Sequence, residues 1–194
     1  MSRIVIIDGH PIRNDGHFCA ALAAAYETGA QDAGHRVQRL HIARLEFPLL
    51  RNPEDWTAGP VPEPIKACQS AIAEADHLVL IYPLWLGCMP ALFKGFLEQV
   101  LRPGFAFEET SATGFPRGKL RDKSARIVVT MGMPAFIYRW YFGAHGLKVL
   151  KRNILRFVGI WPIRSSIVGL VGAENPLKRQ RWLDKMRSFG RSGI

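Results

Sequence analysis

The stretch IVIIDGHPIRNDGHF, residues 4–18, runs from an apolar segment into a loop that holds two histidines, His10 and His17, among the turn formers Pro11, Asn14, Asp15 and Gly16. Imidazoles and an asparagine just before a helix, whose first backbone N–H groups have no partner within it, are suited to hold an anion. A second stretch, YPLWLGCMP at 82–90, is aromatic and apolar and is bent by Pro83 and Gly87, so its backbone can face a planar heterocycle. A third, TMGMPAFIYRWYFGAH at 130–145, brings Thr130, Tyr138, Tyr141 and His145 close together. Phosphate at one end, a flat ring in the middle and a phenol or imidazole beyond it suit a flavin nucleotide. The glycine-rich fingerprint of a dinucleotide site is absent from the first loop.

Each of these loops must be presented by a strand. Arg3–Ile7, His77–Tyr82 and Ala125–Thr130 are compact apolar runs that read as buried parallel strands. Arg36–His41 alternates and reads as a more exposed strand, and Trp161–Gly169 as the last one. Helical patterns cover Phe18–Ala30, Ile65–Ala75, Ala91–Leu101 after Pro90, residues 144–158, and Pro176–Phe189. Residues 48–64, with five prolines, read as a long loop, as does GFAFEETSATGFPRGK at 104–119. Strands alternating with helices imply an α/β fold: a flavodoxin-like, doubly wound, five-stranded parallel sheet in the order 2-1-3-4-5 with helices on both faces, residues 1–194 forming a single domain. In that order strands 1, 3 and 4 are neighbours, so the three unusual loops line one crevice beyond the carboxyl ends of the strands.

Composition narrows the classes. The 194 residues are 48% hydrophobic and 22% charged, as in a globular chain. Cys19, Cys68 and Cys88 match neither a disulfide framework nor a zinc spacing, so no metal is expected and a reducing cytoplasm is the simpler setting. The longest uncharged run, Leu78–Phe93, is too short and too broken by proline and glycine to span a membrane, so no membrane insertion is expected. The net charge of +10 is concentrated in Lys148, Lys151, Arg152 and Arg156 and in Lys178–Arg191, both at helical spacing. Solvated helix faces explain it better than a nucleic-acid surface, and it would also draw anionic ligands.

The HP soon after the first strand, the block YPLW…MPALFKGFLEQVLRPGFAF and the late tyrosine–histidine pair resemble the flavodoxin-like NAD(P)H:quinone oxidoreductase family, related to DT-diaphorase, from Ile4 to about Leu170. The resemblance implies that His10, His17, Phe18 and Cys19 meet the flavin's phosphate and ribityl chain. It implies that Pro83, Leu84, Trp85 and Leu86 hold the isoalloxazine ring through backbone groups, with Thr130 and Gly132 on its other side. Tyr138 and His145 then match the family's catalytic pair. The chain departs from the family pattern in its longer first loop, in PLWLGCMP, in Thr130-Met131-Gly132-Met133, and in one extra residue between Tyr138 and His145, which makes Tyr141 a rival phenol.

The implied activity is hydride transfer from NAD(P)H to bound FMN, preferred over FAD, and then to a quinone by a ping-pong mechanism, in a cytoplasmic homodimer. The resemblance also allows a flavin-binding regulatory subunit, for example of a potassium-efflux transporter. Trp140 and Phe142 read as packing or dimer interface, the cysteines as inert, and Gly104–Phe107 as a loop that shapes the pocket.

Overall fold

Runs of Ile, Val and Leu with no polar alternation are stable only where a sheet is covered on both faces. The computed structural model, which describes residues 1–108, 116–172 and 175–194, places them there. In chain order the elements are β1 (Arg3–Asp8), α1 (Phe18–Asp32), β2 (Arg36–His41), α2 (Pro53–Thr57), α3 (Glu63–Glu74), β3 (His77–Pro83) and α4 (Ala91–Val100). There follow β4 (Phe107–Glu108), β5 (Arg117–Gly118), β6 (Ser124–Thr130), α5 (His145–Lys148), β7 (Ile163–Val168) and α6 (Pro176–Ser192). The main sheet is parallel in the order β2-β1-β3-β6-β7, which is the expected 2-1-3-4-5 once the antiparallel hairpin β4–β5 is set aside.

The period-two alternation along the strands divides the core into two layers. Val5, Ile7, Leu78, Leu80, Tyr82, Ile127 and Val129 pack with α3, α4 and the segment from Leu147 to Val158. Ile4, Ile6, Val79, Ile81 and Val128 pack on the other side with Leu22 and Tyr26 of α1 and Met186 of α6. The two helices of that layer touch backbone to backbone. A Cβ at Gly29 would lie 2.1 Å from the Arg187 carbonyl oxygen, and one at Gly190 would lie 2.1 Å from that of Tyr26.

Three segments differ from the sequence expectation. The proline-rich loop at 48–64 contains α2, because Asn52 accepts the Asp55 N–H (2.7 Å) as an N-cap and Pro53 occupies the first turn. The loop at 104–119 closes as the β4–β5 hairpin, with its residues 109–115 outside the described ones. Between β6 and α5, Ile137–Tyr141 forms a wide π-type turn, and a second wide turn over Val149–Leu155 continues α5.

His77, at the start of β3, is a stability element far from the strand ends that carry the loops. It is buried, its Nδ1 lies 2.7 Å from the Ser124 hydroxyl, and its Nε2 has no partner among the described residues. Burial, and then the charges of Arg126 and Arg164, push it down to about 4 from the usual 6.5. The folded protein therefore refuses a proton that the unfolded chain accepts once the pH drops below 6.5. Stability from this residue is complete above that value and falls progressively toward pH 4, by about 3 kcal/mol in all. Urea unfolding at pH 7 and pH 4.5 should show a larger acid loss for the wild type than for His77→Asn; equal losses would contradict the assignment.

Candidate functional site

The loop after β1 is built by its own side chains. Asp8 ends the strand as a buried carboxylate that accepts the His10 N–H (3.2 Å) and pairs with Arg39 of β2 at 2.7 Å. Asn14 accepts the Gly16 N–H (3.1 Å), and Asp15 reaches Arg44 at 2.8 Å. His17 is the N-cap of α1, its Nδ1 accepting the Ala20 N–H at 3.1 Å. His10 lies over it, with ring centroids 3.7 Å apart and planes 10° from parallel, and its own Nδ1 accepts the Ile12 N–H at 3.2 Å.

These bonds set the tautomers. An Nδ1 that accepts a backbone proton leaves the ring hydrogen of neutral imidazole on Nε2. Burial, together with the neighbouring His17, holds His10 below the usual imidazole value against the opposing pull of Asp8. The stacked pair therefore offers two Nε2–H donors beside the N-terminus of a 15-residue helix, while Arg39 offsets the charge of Asp8 beneath them.

The loop after β3 contains a tight hairpin turn. Trp85 and Cys88 exchange two backbone bonds of 2.9 Å around Leu86 (φ 46°) and Gly87 (φ 79°). Two successive positive φ values define a type I′ turn, a conformation that glycine adopts freely and leucine only under strain. Leu86 is consequently driven fully into solvent. The Leu84 N–H bonds to the Thr130 carbonyl (2.7 Å), which ties this loop to the end of β6.

In the loop after β6, Thr130 lies 3.2 Å from the Cys19 thiol, and burial pushes that thiol up to about 12, so it stays protonated. Tyr138 is buried. Its hydroxyl accepts the Leu147 N–H (3.1 Å) and reaches the Gly87 carbonyl at 3.5 Å, bracing the third loop against the second. Gly146 packs directly on Gly87 and Cys88. His145 and Tyr141 are exposed.

Together these loops enclose a cleft of about 240 Å³. Of the ten residues expected to hold a cofactor, His10, His17, Phe18, Cys19, Pro83, Leu84, Trp85, Thr130 and Gly132 line it. Leu86, Tyr138 and His145 lie outside that lining. Met131, Val171 and Gly172 line it as well, and sequence reasoning passed over them. The last two follow β7, whose carboxyl end belongs to the same crevice, so the strand-end rule applied to the fifth strand would have found them. A Cβ placed on Gly132 would meet nothing within 4 Å, so the cleft floor there is bare backbone open to a flat ligand.

Residues 2–189 match a family model described as a flavodoxin-like fold. An uncharacterized NAD(P)H oxidoreductase of Haemophilus influenzae is 34% identical over 171 residues, covering 85% of this chain and 82% of that protein. The FMN-dependent NADH:quinone oxidoreductase 2 of Listeria monocytogenes is 27% identical over 197 residues, covering 92% and 91%. Other curated relatives are matched over about half of their own length. Among solved structures, the NAD(P)H:quinone oxidoreductase from Methanothermobacter marburgensis superposes with a TM-score of 0.82 at 25% identity, covering 100% of this chain and 99% of that one.

The anion seat can be tested alone. Inorganic phosphate should stabilise the wild type by about 2.7 kcal/mol at a hundredfold excess over its Kd. The variant His17→Asn keeps a capping acceptor, so its basal stability should change by no more than about 1 kcal/mol. With His10→Ala added, thermal denaturation should lose most of the phosphate-dependent shift; an unchanged shift would place the anion elsewhere.

Proposed function

The chain belongs to the flavodoxin-like fold family, and we propose that it is an NAD(P)H-dependent flavin oxidoreductase that reduces a quinone. The supporting observation is the convergence of three sequence-distant loops on one cleft whose parts suit the parts of FMN. The Nε2–H donors of His10 and His17 and the first N–H groups of α1 would take the phosphate. Phe18, Cys19 and Thr130 would flank the ribityl chain. Backbone at Pro83–Leu86 and at Gly132 would bracket the ring. The names of the relatives support the same reading: oxidoreductases that use NAD(P)H or NADH, one of them FMN-dependent.

Held by those residues, the flavin would supply the redox chemistry, two-electron transfer between NAD(P)H and the acceptor. The protein's part is to orient and to manage protons. Tyr138 has its hydroxyl engaged by Leu147 and Gly87, so its proposed role is to hold the Trp85–Cys88 turn against the segment that presents His145. Exposed His145 is the proposed catalytic group, able to hold or deliver a proton at an imidazole nitrogen as charge develops nearby. Tyr141, also exposed, is the alternative phenol. One cleft must admit both substrates in turn, so ping-pong kinetics are part of the proposal.

So is a homodimer in the cytoplasm. Away from the cleft, Trp56, Leu97, Leu101, Phe107 and Phe157 line an apolar hollow of about 180 Å³, the kind of surface that a second copy covers.

The absorption spectrum of freshly purified protein, recorded without oxygen before and after NADPH or NADH, tests the reading. A flavin band that bleaches and returns on adding a quinone is expected; no flavin uptake, or a flavin that never bleaches, would overturn it. The cleft floor has its own test. Gly132→Leu has room to fold, so thermal stability should move by no more than about 0.5 kcal/mol while FMN affinity falls at least about tenfold. Retained affinity would show that the ring does not lie on Gly132.

A further inference from the structure

We propose that Arg179 of α6 closes the phosphate end of the cleft, pairing with a terminal phosphate and leaving no path for the adenylate half of a dinucleotide, so that the flavin taken is FMN and not FAD. The proposal rests on the flavin reading of the cleft and adds to it a residue remote from all three loops. Helices α1 and α6 run parallel: Phe18 meets Arg179 near their starts, and Gly29 meets Arg187 further along. Both N-termini follow strand ends at the edge of the sheet that carries the cleft, and their dipoles add there. The backbone contacts at Gly29 and Gly190 fix α6 on α1, so the place of Arg179 relative to the seat is fixed as well. Its guanidinium lies over the Phe18 ring, 4.6 Å from the centroid, and Phe18 directly follows the capping His17. One side chain thus separates this cation from the histidine seat.

Space past Phe18 is the first argument. Phe18 and Val171 form a wall shared with a second hollow, lined also by Lys178, Arg179 and Trp182, that holds about 10 Å³. This is the space of about one water molecule. The Val171 N–H bonds to the Met131 carbonyl (3.1 Å), which pins the shared wall to the edge of the cleft. An adenylate group has no place there while Arg179 covers Phe18.

Charge points the same way. A phosphate monoester carries a charge of about −1.5 to −2 at neutral pH, more than a phosphate inside a dinucleotide linkage. The arginines at the base of the seat already have carboxylates: Arg39 has Asp8 (2.7 Å), Arg44 has Asp15 (2.8 Å) and Arg13 has Glu46 (3.9 Å). Among the described residues, neither Arg179 nor its neighbour Lys178 is in an ion pair. A guanidinium offers a terminal phosphate a planar pair of N–H donors, and stacking on Phe18 holds that plane without using them. A guanidinium that only shielded Phe18 would leave the choice of flavin to the rest of the cleft; one that pairs with phosphate makes the choice depend on it.

The test is isothermal titration of the full chain, freed of flavin by dialysis, with FMN, FAD and riboflavin. The wild type should bind FMN at least about tenfold more tightly than FAD. Arg179→Gln should weaken FMN by about tenfold, change riboflavin by less than about twofold, and narrow the gap between FMN and FAD. Arg179→Lys keeps the charge without the planar fork and should recover part of the FMN affinity. Equal binding of FMN and FAD by the wild type overturns the proposal, as does unchanged FMN affinity in Arg179→Gln. Equal losses for FMN and riboflavin overturn it too, because they mark Arg179 as a support for Phe18 alone. If the wild type binds no flavin, the redox reading fails by itself, and the phosphate-dependent shift in thermal denaturation decides the place of Arg179. A smaller shift in Arg179→Gln then supports its pairing with phosphate, and an unchanged shift overturns it.

Discussion

Parallel pairing is the constraint on which the rest depends. In a sheet buried on both faces, the register that satisfies the ladder also fixes where neighbouring strands end. Asp8 pairs with Ile81, Pro83 with Thr130, and Thr130 with Val168, so β1, β3, β6 and β7 end at nearly one level. Their loops must leave side by side, and the reversal of strand order between β1 and β3 holds two of them apart above the sheet. A cleft at that edge is thus a consequence of core packing, and the loops only decide what it recognises.

What the loops add is mostly preorganisation. The seat after β1 uses backbone N–H groups to fix two imidazole tautomers, so its outward donors are set before any ligand arrives. Asp8 and Arg39 neutralise each other below it. The turn after β3 accepts a strained leucine, and Tyr138 anchors that turn from behind. The strained Leu86 and the engaged Tyr138 hydroxyl meet in the same corner, where the surrounding structure holds a sparsely populated backbone conformation in place.

The sheet was legible because its signal is local. Ile4–Ile7, Leu78–Tyr82 and Ile127–Val129 are apolar on both faces, which few structures other than a central parallel strand permit. The loops that line the cleft were legible through composition and through resemblance in the block from Tyr82 to Phe107. Other features depend on facts a linear reading does not contain. The cap at Asn52 was hidden among prolines that pointed to a loop. The positive φ of Leu86 carries no mark in a residue type that avoids it. The burial of Tyr138 depends on Leu147 and Gly87, remote in different directions along the chain. The Asp8–Arg39 pair joins two strands and shows only once their register is known.

A crystal structure of the protein grown with FMN tests the central claim most directly. The account predicts the phosphate against His10 and His17 at the start of α1, with the ring seated between the backbone of Pro83–Leu86 and Gly132. Flavin in the hollow beside Trp56 and Phe157, or a ring that avoids the edge shared by β1, β3 and β6, would contradict it.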